Sequence, residues 1–318
     1  EIKTNTNMTQ INSYPTPPAV DADSDSSNGW SEAKAVVAAI SSEPAFLNQL
    51  KQVGLHPTDK TVTGYTDVLS RAAEDYCSAD SRAATITQRQ IDQIKLLANV
   101  SYFLHNQKEA SYYEDKRRQR PLTEPERERY HGFKPYLVWF NQLVSDYAYT
   151  NPDASLSDMN AALLKQAVPS FPNEADIITH HIEQATRGAR TEAASRQLLD
   201  RTELDYSPGT IDDDLHGGDL IVMRGGHRIK VDIKSSVSDI ANIRGGFDRN
   251  ETEIINYAIF KSNRDHHDRT KHVIVLFPGF SDADLGDSLG LHLPEFEMQK
   301  RADFITHELE LAFGELGV

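Results

Sequence analysis

The segment HGGDLIVMRGGHRIKVDIKSS, residues 216–236, places charged side chains among β-branched residues. A Gly-Gly pair separates its two β-rich runs, which predicts a β-hairpin with a two-residue turn. If the flanking residues Arg224 and His227 close that turn, counting back along both strands places Asp219 opposite Asp232. Their Cβ atoms would then lie roughly 4.5–5.5 Å apart.

Lys234 shares the face of Asp232, because side chains alternate along a strand. The neighbouring Val231 and Ile233 point to the opposite face, toward a core. Facing carboxylates repel each other unless a positive charge lies between them, and a hard divalent cation such as Mg²⁺ suits the pair better than one lysine does. The lysine can then orient or deprotonate an attacking water. This set predicts metal-assisted phosphodiester hydrolysis, and a structural ion-pair network is the alternative.

The motif GGDLIV followed by VDIKSS resembles the signature of the PD-(D/E)XK, or restriction-endonuclease-like, phosphodiesterase superfamily. In that family an acid on one strand and a (D/E)-x-K motif on the next build a metal site. Asp219 matches the first acid, Asp232 the second and Lys234 the lysine, while Gly218 stands where the family has a proline. The resemblance implies that the main-chain carbonyl of Ile233 is a further metal ligand.

Many members of the family also carry a glutamate on the preceding helix, and Glu192 in GARTEAASRQLLD matches it. Glu183 lies on a different face of the same helix, since successive residues are about 100° apart. A solvated helix acid is the alternative for Glu192. The resemblance covers about residues 174–318 and implies Mg²⁺, or Mn²⁺, as the cofactor. It also implies cleavage that leaves 5′-phosphate and 3′-hydroxyl ends.

We therefore predict a Mg²⁺-dependent endonuclease that acts on DNA. It would be a type II restriction-like enzyme, or a nuclease of another defence system or of a mobile element. Two-fold DNA sites favour two-fold proteins, so a homodimer or a complex with a partner is expected. Two alternatives remain open. One is a non-catalytic nucleic-acid-binding or assembly protein that keeps the fold, and the other is a structure-specific or RNA-directed nuclease.

The predicted order of the helices and strands that carry these residues indicates an α/β fold, of the layered α+β kind. It would have a restriction-endonuclease-like core with a central mixed sheet flanked by helices. A helix is predicted at about 174–201 before the hairpin, and another at 251–263. The apolar run KHVIVLFPGF, residues 271–280, is typical of a buried strand, and a closing helix follows at 294–316.

Composition divides the chain into three parts. Residues 1–29 are polar and rich in Asn, Ser, Thr, Pro and Asp, which predicts a disordered or extended arm. Residues 30–168 predict a mainly helical domain that binds substrate or partner, with Ser31 as the first N-cap. The two prolines of VPSFPNEAD mark a boundary at 168–176, and residues 172–318 form the predicted nuclease domain.

A net charge of −15 argues against a general basic coat for nucleic acid but allows a local basic patch. The densest basic run in the sequence, residues 116–120, is either such a phosphate-contacting patch or a solvated helix end. Two arginines of a later Gly-containing loop are further candidates for phosphate contacts. The candidate DNA-binding residues are Lys116, Arg117, Arg118, Arg120, Arg244 and Arg249. Residues 206–218 are interpreted as an acidic, Gly-containing loop. Its stretch 212–214 is interpreted as solvated, and attraction of a cation is the alternative. RDHHDRTKH, 264–272, is interpreted as a polar loop, and a loop that faces nucleic acid is the alternative.

Several classes of protein are disfavoured. No stretch approaches the roughly 20 apolar residues of a membrane span. Cys77 is the single cysteine, which favours an intracellular, cytoplasmic protein and a role for Cys77 in helix packing. Walker A and G-x-G-x-x-G motifs are absent from the sequence, so no nucleotide cofactor is expected.

Overall fold

We describe the protein from a computed structural model. It describes residues 26–78, 86–215, 218–235, 260–262, 273–276 and 278–316. Within these residues, helices precede a sheet and a long helix closes the chain. None of the described helices is both long and apolar enough to cross a membrane.

Seven α-helices precede the first strand in the described residues. They are α1 (Ser26–Ile40), α2 (Pro44–Gln52), α3 (Thr63–Ser78), α4 (Gln88–Gln119), α5 (Glu124–Thr150), α6 (Leu156–Ala167) and α7 (Ala175–Leu199). Capping explains where two of them begin. Thr87 and Gln90 form a capping box at α4, and the Ser155 hydroxyl accepts the Asp158 amide at 3.0 Å at α6. Helix α1 starts at Ser26, upstream of the predicted cap at Ser31, so the last residues of the predicted arm are helical.

The helices enclose one large apolar core. Leu50, Leu97, Phe140 and Leu163 are among its fully buried side chains. Cys77 is buried in the same core, which confirms its predicted role in helix packing. This burial of apolar surface is the main force that holds the helical region together.

The sheet has five strands in the order β1-β2-β3-β5-β4. They are β1 (Asp205–Pro208), β2 (Leu220–Arg224), β3 (His227–Ile233), β4 (Phe260–Ser262) and β5 (Val273–Leu276). Strands β3 and β5 are parallel and all other neighbours are antiparallel, so the sheet is mixed, as predicted.

The β2–β3 hairpin has the register that the sequence predicts. Arg224 pairs with His227 across a two-residue turn. Gly225 and Gly226 have φ angles of 54° and 81°, a left-handed backbone at both central turn positions that glycine adopts without strain. The turn chemistry therefore fixes the register of both strands.

One face of the hairpin packs on a helix that follows the sheet. Two short helices, α8 (Ile211–Leu215) and α9 (Asp282–Leu285), follow α7 in the chain. Helix α10 (Glu295–Leu316) then runs to the end of the described residues. Its buried side chains, such as Ile305 and Leu309, form a second core with the sheet. The sheet residues in this core are Leu220, Val222, Ile229, Val231, Ile233 and Leu276. Val231 and Ile233 thus point to the core, as predicted.

Two predicted elements are wrong. The end of the predicted helix 251–263 is strand β4, because Phe260–Ser262 pairs with β5, and short apolar runs are ambiguous between helix and strand. The remainder of that helix lies outside the described residues. The predicted loop 206–218 contains most of β1, which pairs with β2 along its length, and a short helix at Ile211–Leu215, which we call the acidic helix.

Helix α7 belongs to both cores. Ile178 and Ala193 lie in the core of the helical region, whereas Leu198 and Leu199 lie in the sheet core. The predicted boundary at 168–176 precedes this helix. The division between the two cores therefore falls within α7, and the domain boundary at 168–176 stays a prediction.

Candidate metal centre

Asp219 and Asp232 lie at the same end of the β2–β3 hairpin. Leu220 pairs with Val231, so Asp219 and Asp232 are the next residues in register. The Asp219 carboxylate accepts the main-chain N–H of Ile233 at 2.5 Å. Asp232 is only 1% exposed. Two acids therefore lie close together where little water reaches them.

Lys234 follows Asp232 by two residues and lies on the same face of β3. Its ammonium group forms an ion pair with the Asp232 carboxylate. Its main-chain N–H donates to the carbonyl of Leu276 at 2.9 Å, which continues the β3–β5 pairing beyond the strand. The sheet thus holds the backbone of Lys234 in place beside the acids.

Glu192 lies on α7, the long helix that precedes the sheet. Burial raises the pKa of Glu192 to about 8, while the Ser145 hydroxyl and Arg196 act in the opposite direction. The charge of Glu192 also contributes to the raised pKa of Asp219. Glu183 is exposed on another face of α7, as the helix geometry predicts.

Asp214 on the acidic helix joins this group. Burial, followed by the charge of Asp232, raises the pKa of Asp214 to about 6, and Lys234 opposes this shift. The interpretation of 212–214 as a solvated loop is wrong for two of its members, since Asp214 is half-buried and Asp213 is 3% exposed. A usable signal was present, because Thr210-x-x-Asp213 is a pattern of helix N-termini.

Asp219 shows most clearly how the four acids interact. Burial raises its pKa well above the usual range, and the charges of Asp232, Glu192 and Asp214 add to that shift. Lys234 acts in the opposite direction. We call Glu192, Asp214, Asp219 and Asp232 the acid cluster.

The chemistry of the acid cluster fits a hard divalent cation. Its donors are carboxylate oxygens, which Mg²⁺ prefers. A cation among them would relieve the repulsion that raises the pKa of Asp219. In the described part of the chain, no three His, Cys, Asp or Glu side chains are already placed to hold an ion. Asp219 instead accepts the Ile233 amide and Asp232 binds Lys234, so these side chains would rotate to take up a cation.

The predicted basic patch at the end of α4 forms ion pairs with local acids. Lys116 and Arg120 both form ion pairs with Glu126, at 2.5 and 2.8 Å. Arg118 pairs with Asp115 at 3.3 Å, and its neighbour Arg117 is exposed. These two acids therefore offset only part of the positive charge of the four basic side chains. The predicted DNA contacts Arg244 and Arg249, and the polar loop 264–272, lie outside the described residues.

No protein-family model, curated protein or solved structure matches this chain. The assignment of a function therefore depends on the geometry of the chain itself.

Proposed function

We propose that the protein is a Mg²⁺-dependent endonuclease that hydrolyses DNA phosphodiester bonds. The observation that carries this proposal is the placement of Asp219, Asp232 and Lys234 at one end of the hairpin, with Glu192 of the preceding long helix within electrostatic range of Asp219. Four buried or half-buried acids with one lysine are costly for a protein core unless they bind something positive. A divalent cation and a phosphate group together match that need.

We further propose that the sheet region is a restriction-endonuclease-like core. The order of its elements supports this proposal: α7, the β2–β3 hairpin, a strand parallel to β3 and then α10. The first acid precedes one strand of the hairpin, and the D-x-K motif lies at the end of the other. The helix before the hairpin supplies the glutamate.

Each residue then has a chemical role. Asp219 and Asp232, with the carbonyl of Ile233 and with Glu192, would hold the cation, which supplies Lewis-acid stabilisation of charge on the phosphate oxygens. Lys234 would orient the attacking water and, in its neutral amine form, accept the proton of that water. The water oxygen forms a bond to phosphorus, the bond from phosphorus to the 3′ oxygen breaks, and that oxygen gains a proton from solvent. The products are a 5′-phosphate and a 3′-hydroxyl.

A nuclease assay on the intact chain tests this function. Plasmid DNA is incubated with the wild type in Mg²⁺, in Mn²⁺ and in EDTA, beside Asp232→Asn and Lys234→Met. We expect metal-dependent cleavage that falls on the order of 10³-fold in each variant, because both the cation site and the water-orienting group are needed. Asp212→Asn and Lys300→Met, which change exposed groups of the same charge, should cleave like the wild type.

The outcomes separate the three candidate functions. Cleavage that is unaffected by Asp232→Asn or by EDTA would contradict the proposal. Binding of DNA without cleavage of any nucleic acid would identify the non-catalytic alternative. RNA and branched DNA, tested under the same conditions, would reveal an RNA-directed or structure-specific nuclease. Analytical ultracentrifugation with and without DNA tests the proposed homodimer.

A further inference from the structure

We propose that the tip of the α4–α5 helix pair is a docking surface for the phosphate backbone of duplex DNA, with Arg117 and Arg129 as its phosphate contacts. The tip comprises residues 116–129, which are the last turn of α4, the connection and the first turns of α5. This inference deepens the proposed function, on which its choice of DNA as the partner rests. It concerns residues outside the acid cluster and adds arginines of α5 to the basic run of α4.

The outer part of the α4–α5 pair has a small core of its own, distinct from the main core of the helical region. Its buried side chains are Ala110, Tyr113, Leu122 and Tyr130. The hydroxyl of Tyr130 donates to the Glu114 carboxylate at 2.8 Å, which ties the two helices together. Within the described residues, the buried members of this core all come from α4, α5 and their connection. The tip is therefore presented on a preformed pair of helices, which lowers the cost of ordering it on binding.

The charge of the tip is opposite in sign to that of the chain as a whole. Residues 116–129 contain six basic and three acidic side chains, so their net charge is +3, whereas that of the chain is −15. Five of the six basic side chains are arginines, whose planar guanidinium groups bind phosphate oxygens through two parallel hydrogen bonds. Apart from two prolines, the only apolar residue of the segment is Leu122, which is buried. Such a surface fits a phosphate backbone better than an apolar protein or membrane surface.

Ion pairs distinguish the basic side chains of the tip from one another. Glu126 binds both Lys116 and Arg120, and two further arginines of the tip pair with exposed acids. Arg117 and Arg129 are exposed, and in the part of the chain that the structure describes neither forms an ion pair. A guanidinium group that is already paired must leave its acid before it binds phosphate. Arg117 and Arg129 can therefore bind phosphate at the lowest cost.

Helix α5 connects the tip to the elements that surround the acid cluster. The Gln142 side chain donates to the carbonyl of Gly209, in the segment before the hairpin, at 3.1 Å. One turn further along, Asp146 forms an ion pair with Arg196 of α7 at 2.7 Å. At about 1.5 Å per residue, Arg129 lies about 20 Å along the helix from Gln142. This separation corresponds to about six base pairs, so one oligonucleotide duplex has the length to contact both regions.

The salt dependence of DNA binding tests this inference. A fluorescent oligonucleotide duplex is titrated with the intact protein at several concentrations of KCl, in EDTA so that metal-dependent cleavage does not occur. Each phosphate contact contributes about 0.9 to the slope of log K against log salt concentration. Arg117→Gln/Arg129→Gln should therefore reduce the slope by about 1.8 and weaken binding more than about tenfold at physiological salt. An unchanged slope would overturn the inference.

Two matched double variants complete the test. Lys51→Gln/Lys60→Gln removes the same two charges from exposed lysines of another region and should leave the slope unchanged. Arg117→Lys/Arg129→Lys keeps both charges and should retain the slope, but it should bind more weakly than the wild type because an ammonium group lacks the paired donors of arginine. An equal loss of slope in the Lys51 and Lys60 variant would show that net charge alone is responsible and would overturn the inference. Thermal midpoints of all variants check that the exposed substitutions leave the fold intact.

The inference and the proposed function fail in different ways. If the wild type cleaves DNA in the assay above but Arg117→Gln/Arg129→Gln binds with an unchanged slope, the docking surface is wrong and the proposed function stands. If the wild type binds DNA through the tip but cleaves no nucleic acid, the proposed function is wrong and the docking surface stands. Tighter binding of single-stranded RNA than of duplex DNA would overturn the choice of DNA as the partner.

Discussion

Asp213 and Asp214 are neighbours in the sequence but lie in opposite electrostatic environments. Hydrogen bonds from Arg228, followed by those from Thr210, hold the pKa of Asp213 well below its usual range. Burial and the charge of Asp232 raise the pKa of Asp214 to about 6. Asp213 accepts hydrogen bonds from Arg228 and Thr210, which stabilise its negative charge. Asp214 is instead partly buried and is repelled by the charge of Asp232. The difference separates an acid whose charged form the fold favours from an acid whose charged form is opposed by burial and by Asp232.

The largest expected effect is the loss of the compensated acid. Asp213→Ala removes the charged hydrogen bonds to Arg228 and the cap on Thr210, so the free energy of unfolding should fall by about 2–3 kcal/mol. Urea denaturation of the intact chain measures this change. Asp212→Ala should stay within about 0.5 kcal/mol of the wild type. Equal effects of the two substitutions would remove the contrast between Asp213 and its neighbours.

The next effect is the response of the acid cluster to a divalent cation. A cation that binds only the folded state stabilises it, and at ten times its dissociation constant the gain is about 1.4 kcal/mol. We therefore expect Mg²⁺ at millimolar concentration to raise the thermal midpoint of the wild type. The Asp232→Asn variant should show no such rise. An equal response in both proteins would place the cation elsewhere.

A smaller effect of opposite sign is expected when repulsion in the acid cluster is relieved without a cation. Asp219→Asn keeps an oxygen that can accept the Ile233 amide and removes a charge that burial and three neighbouring acids oppose. In EDTA at neutral pH it should raise the free energy of unfolding by about 1 kcal/mol. Urea denaturation checks the sign. Destabilisation by Asp219→Asn would indicate that other groups already balance the repulsion between the charges of the acid cluster.

The smallest effect concerns Asp287, a compensated acid far from the hairpin in sequence. The hydroxyl of Ser155 donates to its carboxylate at 2.7 Å, and the amide of Ser157 donates at 3.0 Å. Both hydrogen bonds lower the pKa of Asp287, and the bond from Ser155 has the larger effect. A lowered folded-state pKa gives stability that is present above the unfolded value, near 4, and is lost as the pH falls through the folded value.

Asp287→Asn should therefore cost about 0.5–1 kcal/mol at pH 7, a small value because the carboxylate is exposed. The difference from the wild type should shrink as the pH falls below about 4. Urea denaturation at pH 7 and at pH 3 measures both differences. A cost that is the same at the two pH values would mean that the charge of Asp287 has no part in stability.

The hairpin was predictable because its determinants are local. A Gly-Gly pair between β-rich runs fixes the turn, the turn fixes the register, and the register places Asp219 next to Asp232. Helix periodicity likewise separates Glu192 from the exposed Glu183. In these cases the relevant partners are a few residues apart or follow from a regular repeat.

The acidic helix was not predictable in the same way. It is held by Arg228 and Lys230, which lie on the hairpin that follows it, and three consecutive aspartates suggest solvent when they are considered alone. Strand β4 was missed for a related reason, since its pairing with β5 outweighs the local preference for a helix. Partners that are distant in sequence decide both elements.

The continuous path of α7 has a consequence for how the protein unfolds. Its first half is covered by the helical core and its last turn by the sheet, so neither region can lose its structure without exposing apolar side chains of the other. A fragment cut at the prolines of 168–176 would carry Ile178 and Ile182 without the helices that bury them. We therefore expect the two regions to unfold as one cooperative unit, so that a ligand that stabilises either region would protect both from proteolysis.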